Sequence, residues 1–306
     1  MLNYFKKLSQ VNIDKENLII INFDGRMGNQ MFQWALGRAY QKINGTMPIF
    51  DDSEETIKLG CFNLSKEIKT VKKPLWNKVL RKAIPIRNLR VKLTKLNFNI
   101  PILQEQAYYQ FDTRFLTAKN TRYFKGYFQC EQYFKDVKDK LIDDFTLIKE
   151  LNKANKQILE QIKSTNSISL HFRRGDYLKS SRWGVLTKTY YQKAIDLIVK
   201  ETGITPTLFV FSDNLNWVKE NVKFDYDTNY VGINSGKQGY FDLELMKNCK
   251  HNIIANSSFS WWAGYLNSNP NKIVIAPMPW RPFMKSKDEE FQLIPSDWRR
   301  IEAWNE

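Results

Sequence analysis

Short apolar runs alternate with amphipathic stretches in the second half of the chain, and this alternation most constrains the fold. The runs include residues 167–172, 207–213 and 272–277, and helical periodicity occupies the intervals between them. Continuous apolar runs are typical of parallel strands covered on both faces, which right-handed helical crossovers connect. The second half is therefore predicted to form a doubly wound parallel α/β sheet.

A strand–turn–helix pattern also opens the first half of the chain. Residues 18–23 form an apolar run that Gly25 and Gly28 interrupt before helical spacing begins. The two patterns predict an α/β protein of two Rossmann-like domains facing each other across a cleft. The predicted domains are residues 1–150 and 151–306, and the last helix of the chain is expected to pack back on the N-terminal domain.

Charge is unevenly distributed along the chain. Its net charge of +15 favours an anionic partner. Between Lys66 and Lys95 there are eleven lysines or arginines and one acid, Glu67. Within this run, residues 74–85 form a basic amphipathic stretch that suits either an anionic membrane surface or an ordinary solvated helix. Both interpretations remain open from the sequence.

Several classes of protein are disfavoured by what the sequence lacks. It contains no long uncharged apolar segment and no signal-peptide pattern, so we expect a cytoplasmic protein, with peripheral binding to the inner membrane as an option. Three widely spaced cysteines and two histidines give neither a disulfide framework nor a zinc pattern. Asp225 and Asp227 form a D-x-D triplet, but it precedes a strand instead of following one. We therefore predict no metal and no cofactor.

Two adjacent arginines follow the predicted strand 167–172. Guanidinium groups bind phosphate in a bidentate manner and stay charged at every relevant pH. Ligands of doubly wound sheets bind at the carboxyl ends of the strands, which is where Arg173 and Arg174 lie. Gly175 allows a close backbone approach, and Asp176 can orient an arginine. A solvated loop is the plainer alternative.

Other polar groups follow the neighbouring strands. Ser257 and Ser258 precede a helix whose amino end can bind phosphate, although either serine can equally be a simple cap. Asp213 can accept hydrogen bonds from a sugar or base, or cap the next helix. Asp242 early in its helix favours the helix dipole. Asp24, after the first strand, is a candidate general base or a turn residue.

Four segments together resemble the α-1,2-fucosyltransferases of glycosyltransferase family 11. "HFRRGDY" is similar to that family's H-x-R-R-x-D-Y motif, and "GRMGNQMFQWALGRAY", "FSDN" and "NSSFSWWAGYLN" resemble its further motifs in the same order. H-x-R-R alone is shared with α-1,6- and protein O-fucosyltransferases. One departure is Asn214, where family members often carry a second aspartate.

The resemblance implies a GT-B fold that binds acceptor in the first domain and GDP-fucose in the second, without a metal and with inversion at the fucose anomeric carbon. Arg173 would bind the β-phosphate and stabilise the departing GDP. The other implied roles are support of Arg173 by Arg174 and Asp176, guanosine contacts by His171 and Asp242, diphosphate contacts by Ser257 and Ser258, and a place at the reaction centre for Asn29 and Arg26.

The function implied by the resemblance is transfer of L-fucose to the 2-hydroxyl of a terminal galactose, in the synthesis of a surface polysaccharide such as O-antigen. The expected partners are GDP-fucose and a galactose-terminated or lipid-linked glycan. One alternative is another GDP-fucose transferase, forming an α-1,6 or protein O-linkage. The net charge also allows a basic nucleic-acid-binding protein, but we find no nucleic-acid module and expect no nucleic-acid partner.

Overall fold

The computed structural model describes residues 18–52, 56–70, 101–120, 122–234, 236–284 and 292–304. The basic amphipathic stretch at 74–85 lies outside the described residues. The chain divides into two compact units, Met1–Thr146 (unit 1) and Leu147–Glu306 (unit 2). The boundary predicted near residue 150 and the assignment of acceptor and donor to the two domains stay predictions.

Unit 1 is built on a four-stranded parallel sheet. The strands are β1 (Ile19–Asn22), β2 (Ile49–Asp51), β3 (Ile102–Gln104) and β4 (Arg122–Lys125), and the α-helices are α1 (Met27–Asn44), α2 (Arg114–Thr117) and α3 (Lys138–Asp144). Across the sheet the strands have the order β2-β1-β4-β3. The long helix α1 follows β1 and is almost entirely buried along its first half, where Phe32, Trp34 and Leu36 are fully enclosed.

A buried ion pair joins α1 to α3. Arg38 and Asp144 are 4% and 1% exposed, and Arg38 Nε lies 2.5 Å from Asp144 Oδ2. The indole of Trp34 donates to the same carboxylate oxygen at 2.7 Å. Hydrogen bonds from several donors satisfy this carboxylate, as a buried charge requires.

Unit 2 is built on a six-stranded parallel sheet. The strands are β5 (Ser167–Phe172), β6 (Thr207–Ser212), β7 (Thr228–Tyr230), β8 (His251–Ile253), β9 (Val274–Met278) and β10 (Arg299–Glu302). Across the sheet they have the order β10-β9-β8-β5-β6-β7. The α-helices are α4 (Lys153–Ser164), α5 (Lys188–Thr202), α6 (Leu215–Asn221), α7 (Gly239–Lys247) and α8 (Ser258–Leu266).

The α/β class with two parallel sheets is confirmed, and each sheet has a point where its strand order reverses. In unit 2 the chain runs from β5 outward to β6 and β7, then resumes on the other side of β5 with β8, β9 and β10. In unit 1, β2 and β4 lie on opposite sides of β1. The switch points therefore fall between β5 and β8 and between β1 and β4, and such points are where open α/β sheets bind ligands.

Some local expectations differ from the structure. The sequence of residues 131–141 predicts one continuous helix, but the structure has two 3-10 turns there, Glu131–Tyr133 and Lys135–Val137, followed by α3. The last helix expected to pack on the N-terminal domain stays a prediction; the last strand of the described residues is β10, which pairs with β9, Arg299 opposite Ile275. Short strands such as β10 leave too few residues for a clear alternating pattern.

Candidate functional site

The exit of β5 places a guanidinium between two carboxylates. Arg173 Nη1 lies 2.8 Å from Asp213 Oδ2, and Arg173 Nη2 lies 2.5 Å from Asp176 Oδ1. The Arg173 side chain is 14% exposed, whereas that of Asp176 is 47% exposed. The cation is thus fixed at the carboxyl edge beside the switch point, and Asp176 is the more exposed of its two partners.

Asp213 also organises the backbone of the β5 exit. Its Oδ1 accepts hydrogen bonds from the backbone N–H groups of Arg174 at 2.9 Å and Gly175 at 3.2 Å. A Cβ atom on Gly175 would lie 2.6 Å from Asp213 Oδ2, so only glycine allows this close approach. The structure thus gives Asp213 a role in positioning Arg173, and direct contact of Asp213 with a donor stays a prediction.

The second arginine of the motif points towards a different partner. The Arg174 guanidinium lies over the Trp217 ring, 3.1 Å from its centroid. Burial lowers the pKa of Arg174, partly offset by the carboxylate of Asp213. Among the described residues, the buried Arg174 Nε has no hydrogen-bond partner.

His171 is a buried and uncharged histidine on β5. It is 5% exposed and its ring lies 5.6 Å from the ring of Phe259 on α8. Burial and the nearby cation of Arg173 lower the pKa of His171 to about 3 although the Asp213 carboxylate opposes them. The imidazole is therefore neutral at neutral pH, and its Nδ1 has no hydrogen-bond partner within the described part of the chain.

A further unpartnered polar atom lies across the switch point, after β8. Asn256 is 3% exposed, and its Nδ2 donates to the carbonyl of Trp183 at 2.7 Å. Its buried Oδ1 has no hydrogen-bond partner in the described segments. An unpaired buried acceptor costs about 1–3 kcal/mol, so this oxygen and His171 Nδ1 are atoms that a bound ligand can satisfy.

The amino end of α8 follows Asn256 directly in the chain. Ser257 is the residue that caps this helix, because its hydroxyl accepts from the backbone N–H of Phe259 at 3.4 Å. Ser258 is the first helical residue and is less buried than Ser257. The amino end of α8, with its partial positive charge, thus lies one strand away from Arg173, at the same edge.

Alternating cations and aromatic rings connect the exits of β5 and β9. Arg173 lies 5.3 Å from the ring centroid of Tyr177, Tyr177 stacks on Trp183 at 5.5 Å, and Arg281 lies 4.1 Å from Trp183. The Tyr177 hydroxyl donates to the carbonyl of Asn256 at 2.9 Å. This cation–aromatic ladder holds the loop after β5 against the loop after β8, and its contacts bring Arg173 and Arg281 to one edge.

Asp242 lies in the first turn of α7 and belongs to an amide network. Asn234 Nδ2 donates to Asp242 Oδ1 at 2.8 Å, and Asn234 exchanges hydrogen bonds with the buried Asn155. Burial raises the pKa of Asp242 to about 7, and the bond from Asn234 opposes that rise. The carboxyl group is therefore close to half protonated at neutral pH.

In unit 1 the turn after β1 is held by side chains from α1. Gly25 has φ 76°, and a Cβ atom added there would lie 2.4 Å from Asn29 Nδ2. Both the left-handed backbone and the lack of space therefore favour glycine at this turn. Asp24 Oδ1 accepts from the Gly25 N–H at 2.7 Å, the turn role that the sequence allowed. Arg26 is exposed and precedes α1.

Contacts across the unit 1 switch point connect this turn to the exit of β4. Gln33, fully buried, accepts from Asp24 N at 3.1 Å and donates to the Gly126 carbonyl at 2.9 Å. Gln129 Nε2 donates to Asn29 Oδ1 at 2.9 Å. Neither glutamine was predicted as a site residue. Gln33 carries a signal in the sequence, an amide inside an apolar helix, whereas Gln129 lies outside the helices and carries none.

The predicted site residues therefore form two groups. His171, Arg173, Arg174, Asp176, Asp213, Ser257 and Ser258 lie at the carboxyl edge of unit 2, and Asp24, Arg26 and Asn29 lie at that of unit 1. Asp242 lies on the helix before β8. The described residues contain no cluster of three His, Cys, Asp or Glu that would hold a metal ion. Nor do they contain a helix long and apolar enough to span a bilayer.

Comparison with known proteins gives a consistent result. The model of Glycosyl transferase family 11 matches residues 2–302. An Escherichia coli alpha-1,2-colitosyltransferase is 32% identical, over 94% of this chain and 99% of its own. An O-antigen biosynthesis glycosyltransferase, WbnK of the same species, is 31% identical over 84% and 92%. The galactoside alpha-(1,2)-fucosyltransferase 2 of Hylobates lar is 25% identical over 92% and 79%.

Proposed function

The chain belongs to glycosyltransferase family 11, and on this premise we propose that it transfers L-fucose from GDP-fucose to the 2-hydroxyl of a terminal galactose. The observation that carries the proposal is the unit 2 switch point. There Arg173, held by Asp213, lies one strand away from the capped amino end of α8. A doubly charged diphosphate is the ligand that such an edge suits.

The proposed reaction is a displacement at the anomeric carbon with an oxocarbenium-like transition state. The acceptor 2-hydroxyl oxygen bonds to that carbon from the face opposite the phosphate, so the configuration inverts. The bond from the carbon to the β-phosphate oxygen breaks, and GDP leaves with the electron pair. Arg173 and the amino end of α8 stabilise the negative charge that develops on the phosphate, where fixed donors contribute most.

Two buried groups would read the nucleotide. Neutral His171 offers Nδ1 as acceptor or donor, and Asp242, when ionised, offers two acceptor oxygens to base N–H groups. Asn256 Oδ1 would add a further acceptor. In this proposal the nucleotide supplies hydrogen bonds to His171 Nδ1 and Asn256 Oδ1, which have no partner among the described residues.

The proton of the acceptor hydroxyl leaves in the same reaction. Asp24 is the candidate general base: its Oδ1 is bound to the Gly25 N–H, and its Oδ2 lies 3.4 Å from Tyr127 Oη. Asn29 would orient the acceptor through its amide. A metal ion has no role in this proposal, because the cations of unit 2 already neutralise the leaving group.

A second candidate donor is GDP-colitose, which the colitosyltransferase relative favours. Colitose is the 3-deoxy form of fucose, so the same diphosphate site would serve both sugars and only contacts to the 3-hydroxyl would discriminate between them. The product would then be a colitosyl galactoside of a surface polysaccharide.

Turnover of the two GDP-sugars with a panel of β-galactosides tests the proposal. We expect GDP release that depends on the galactoside, an α-1,2 linkage in the product and full activity in EDTA. Loss of activity on chelation would contradict the metal-free mechanism, and an α-1,6 or peptide-linked product would contradict the acceptor assignment. Comparing kcat/KM for the two donors identifies the sugar.

Binding of vesicles containing anionic lipid tests the peripheral membrane association that the sequence leaves as an option.

A further inference from the structure

An exposed tyrosine lies beside the unit 1 switch point. The side chain of Tyr108 follows β3 and is 53% exposed. Its ring stacks on that of Tyr127, which follows β4, with the centroids 6.4 Å apart and the planes 28° apart. We refer to Tyr108 and Tyr127 together as the aromatic shelf. Single exposed aromatic residues need no explanation, but this pair has three further properties.

The shelf is flanked by unusual backbone. Tyr109 and Phe128 have φ values of 68° and 55°, a region that large side chains rarely adopt. The left-handed turn at Tyr109 places that ring in the core, 2% exposed, while Tyr108 next to it projects into solvent. Left-handed conformations of bulky residues persist where the surroundings impose them, and they concentrate at binding sites.

The surroundings also fix the backbone that carries Tyr127. Its N–H donates to Glu105 Oε2 at 2.8 Å, and the carbonyl of the preceding Gly126 accepts from Gln33 at 2.9 Å. Glu105 is 8% exposed and Gln33 is fully buried. The backbone that carries the Tyr127 ring is therefore held by buried side chains from α1 and from the residue that follows β3, so the shelf is preorganised.

Polar groups border the shelf on the side of the switch point. Tyr127 Oη lies 3.4 Å from Asp24 Oδ2. Asn29, in the first turn of α1, is paired with Gln129 two residues beyond Tyr127. A flat apolar surface bordered by a carboxylate and amides matches the amphiphilic form of a sugar ring, which has an apolar C–H face and hydroxyl groups at its rim.

We propose that the aromatic shelf is the acceptor subsite and takes the terminal pyranose of the acceptor glycan. The C–H face of the sugar lies on Tyr108 and Tyr127, and its hydroxyl groups face Asp24. That the sugar is galactose rests on the proposed function, whereas the shelf itself is argued from unit 1 alone. Tyr108 is then a binding residue for the acceptor, and Glu105 and Gln33 are positioning residues that act through the backbone of Tyr127.

Kinetics of the full-length protein test the subsite with a β-galactoside as the varied substrate. Tyr108→Ala should raise the acceptor KM about tenfold, the magnitude of one lost aromatic stacking partner. It should leave the donor KM unchanged. Tyr108→Phe keeps the ring and should stay close to the wild-type acceptor KM. Ile102→Ala is the matched control, since Ile102 is 48% exposed on β3, the strand that precedes Tyr108.

Three results would overturn the proposal: an acceptor KM for Tyr108→Ala within twofold of wild type, an equal rise in Ile102→Ala, or a parallel rise in the donor KM. If Tyr108→Ala fails to fold, Tyr108→Leu provides the same comparison with an apolar side chain and no ring.

A binding measurement separates this proposal from the proposed function. Saturation-transfer NMR with methyl β-galactoside should show contact with the wild-type protein and Tyr108→Phe, and a strongly reduced signal with Tyr108→Ala. Binding without turnover of either GDP-sugar would support the shelf and contradict the proposed function. Turnover with unchanged galactoside contact in Tyr108→Ala would do the reverse.

Discussion

The two switch points of this protein differ in where their units place charge. Unit 2 brings Arg173, Arg174 and Arg281 to the edge of its sheet and stacks them on aromatic rings. Unit 1 buries the ion pair of Arg38 with Asp144 inside the unit and presents carboxylate, amide and tyrosine side chains at its edge. Under the two proposals, the parallel sheet of unit 2 takes an anionic ligand and that of unit 1 takes a neutral, hydroxyl-rich one.

The contrast teaches how a charge is made available for binding. Arg38 is enclosed with several hydrogen bonds, so it contributes to folding and is closed to ligands. Arg173 is held by carboxylates at an edge where a phosphate can compete for it. The following predictions test this division between stability and binding, beginning with the largest expected effect.

Removing the buried carboxylate should destabilise unit 1 without changing a residue at either sheet edge. Asp144→Ala leaves Arg38 buried without its main partner, and breaking such a pair costs about 3–5 kcal/mol of unfolding free energy. Urea denaturation followed by tryptophan fluorescence measures the change. Asp143→Asn, an exposed neighbour paired with Lys140, is the control and should change stability by less than about 1 kcal/mol. Equal effects of the two variants would contradict a specific role for the buried pair.

Removing Arg173, the cation at the edge of the unit 2 sheet, should lower activity and leave stability almost unchanged. Arg173→Ala is expected to lower the transfer rate by about 10²–10³, as the loss of one transition-state donor does, because the departing phosphate loses its fixed cation. The denaturation midpoint and galactoside binding should remain close to wild type. Arg299→Ala, an exposed arginine paired with Glu201 in the same unit, should have little effect. Activity that survives Arg173→Ala in a folded protein would contradict the diphosphate assignment.

Two substitutions of Asp213 distinguish the effect of its charge from that of its hydrogen bonds at the same edge. Asp213→Asn retains an oxygen for the N–H groups of Arg174 and Gly175 but loses the charge that fixes Arg173, so we expect about a tenfold loss of kcat/KM. Asp213→Ala also releases the loop and should cost more. Asp176→Asn, altering a half-exposed partner, should cost less than either. Steady-state kinetics with varied donor rank the three, and a larger loss in Asp176→Asn would reverse the assigned roles.

The smallest expected effect concerns pH. Burial raises the pKa of Asp242 to about 7, so the ionised fraction rises from about one tenth at pH 6 to about nine tenths at pH 8. If the carboxylate binds guanine, donor affinity should increase about tenfold over that interval. The same raised pKa makes the charge unfavourable for folding, so its contribution to stability should decline as pH rises from about 4 to 7. Calorimetric titration with GDP measures the affinity.

Asp242→Asn provides the control for this pH dependence. The variant should bind GDP weakly and with little change between pH 6 and pH 8, because an amide does not titrate. A pH dependence that persists in the variant would assign the titration to another group.

Much of the site follows from local pattern. Apolar runs ending in polar residues placed Arg173, Asp213 and Ser257 at strand ends, because a parallel strand exposes the residues that follow it. The glycine at 175 and the family motifs indicated an anion site before any distance was known. The roles of individual residues were less accessible: Asp213 was expected to contact the donor, and its bonds to the β5 exit depend on a neighbour 38 or 39 positions away.

The amino-acid sequence by itself determined the α/β class, the strand–helix order and the chemical character of the strand ends, since these depend on periodicity and side-chain chemistry within short windows. Only the tertiary structure decided the strand order, and with it the two switch points, which hydrogen bonds cross them, and which buried atoms of His171 and Asn256 stay unpaired among the described residues. Strand adjacency and polar satisfaction arise from contacts between residues far apart in the chain, which no local pattern encodes.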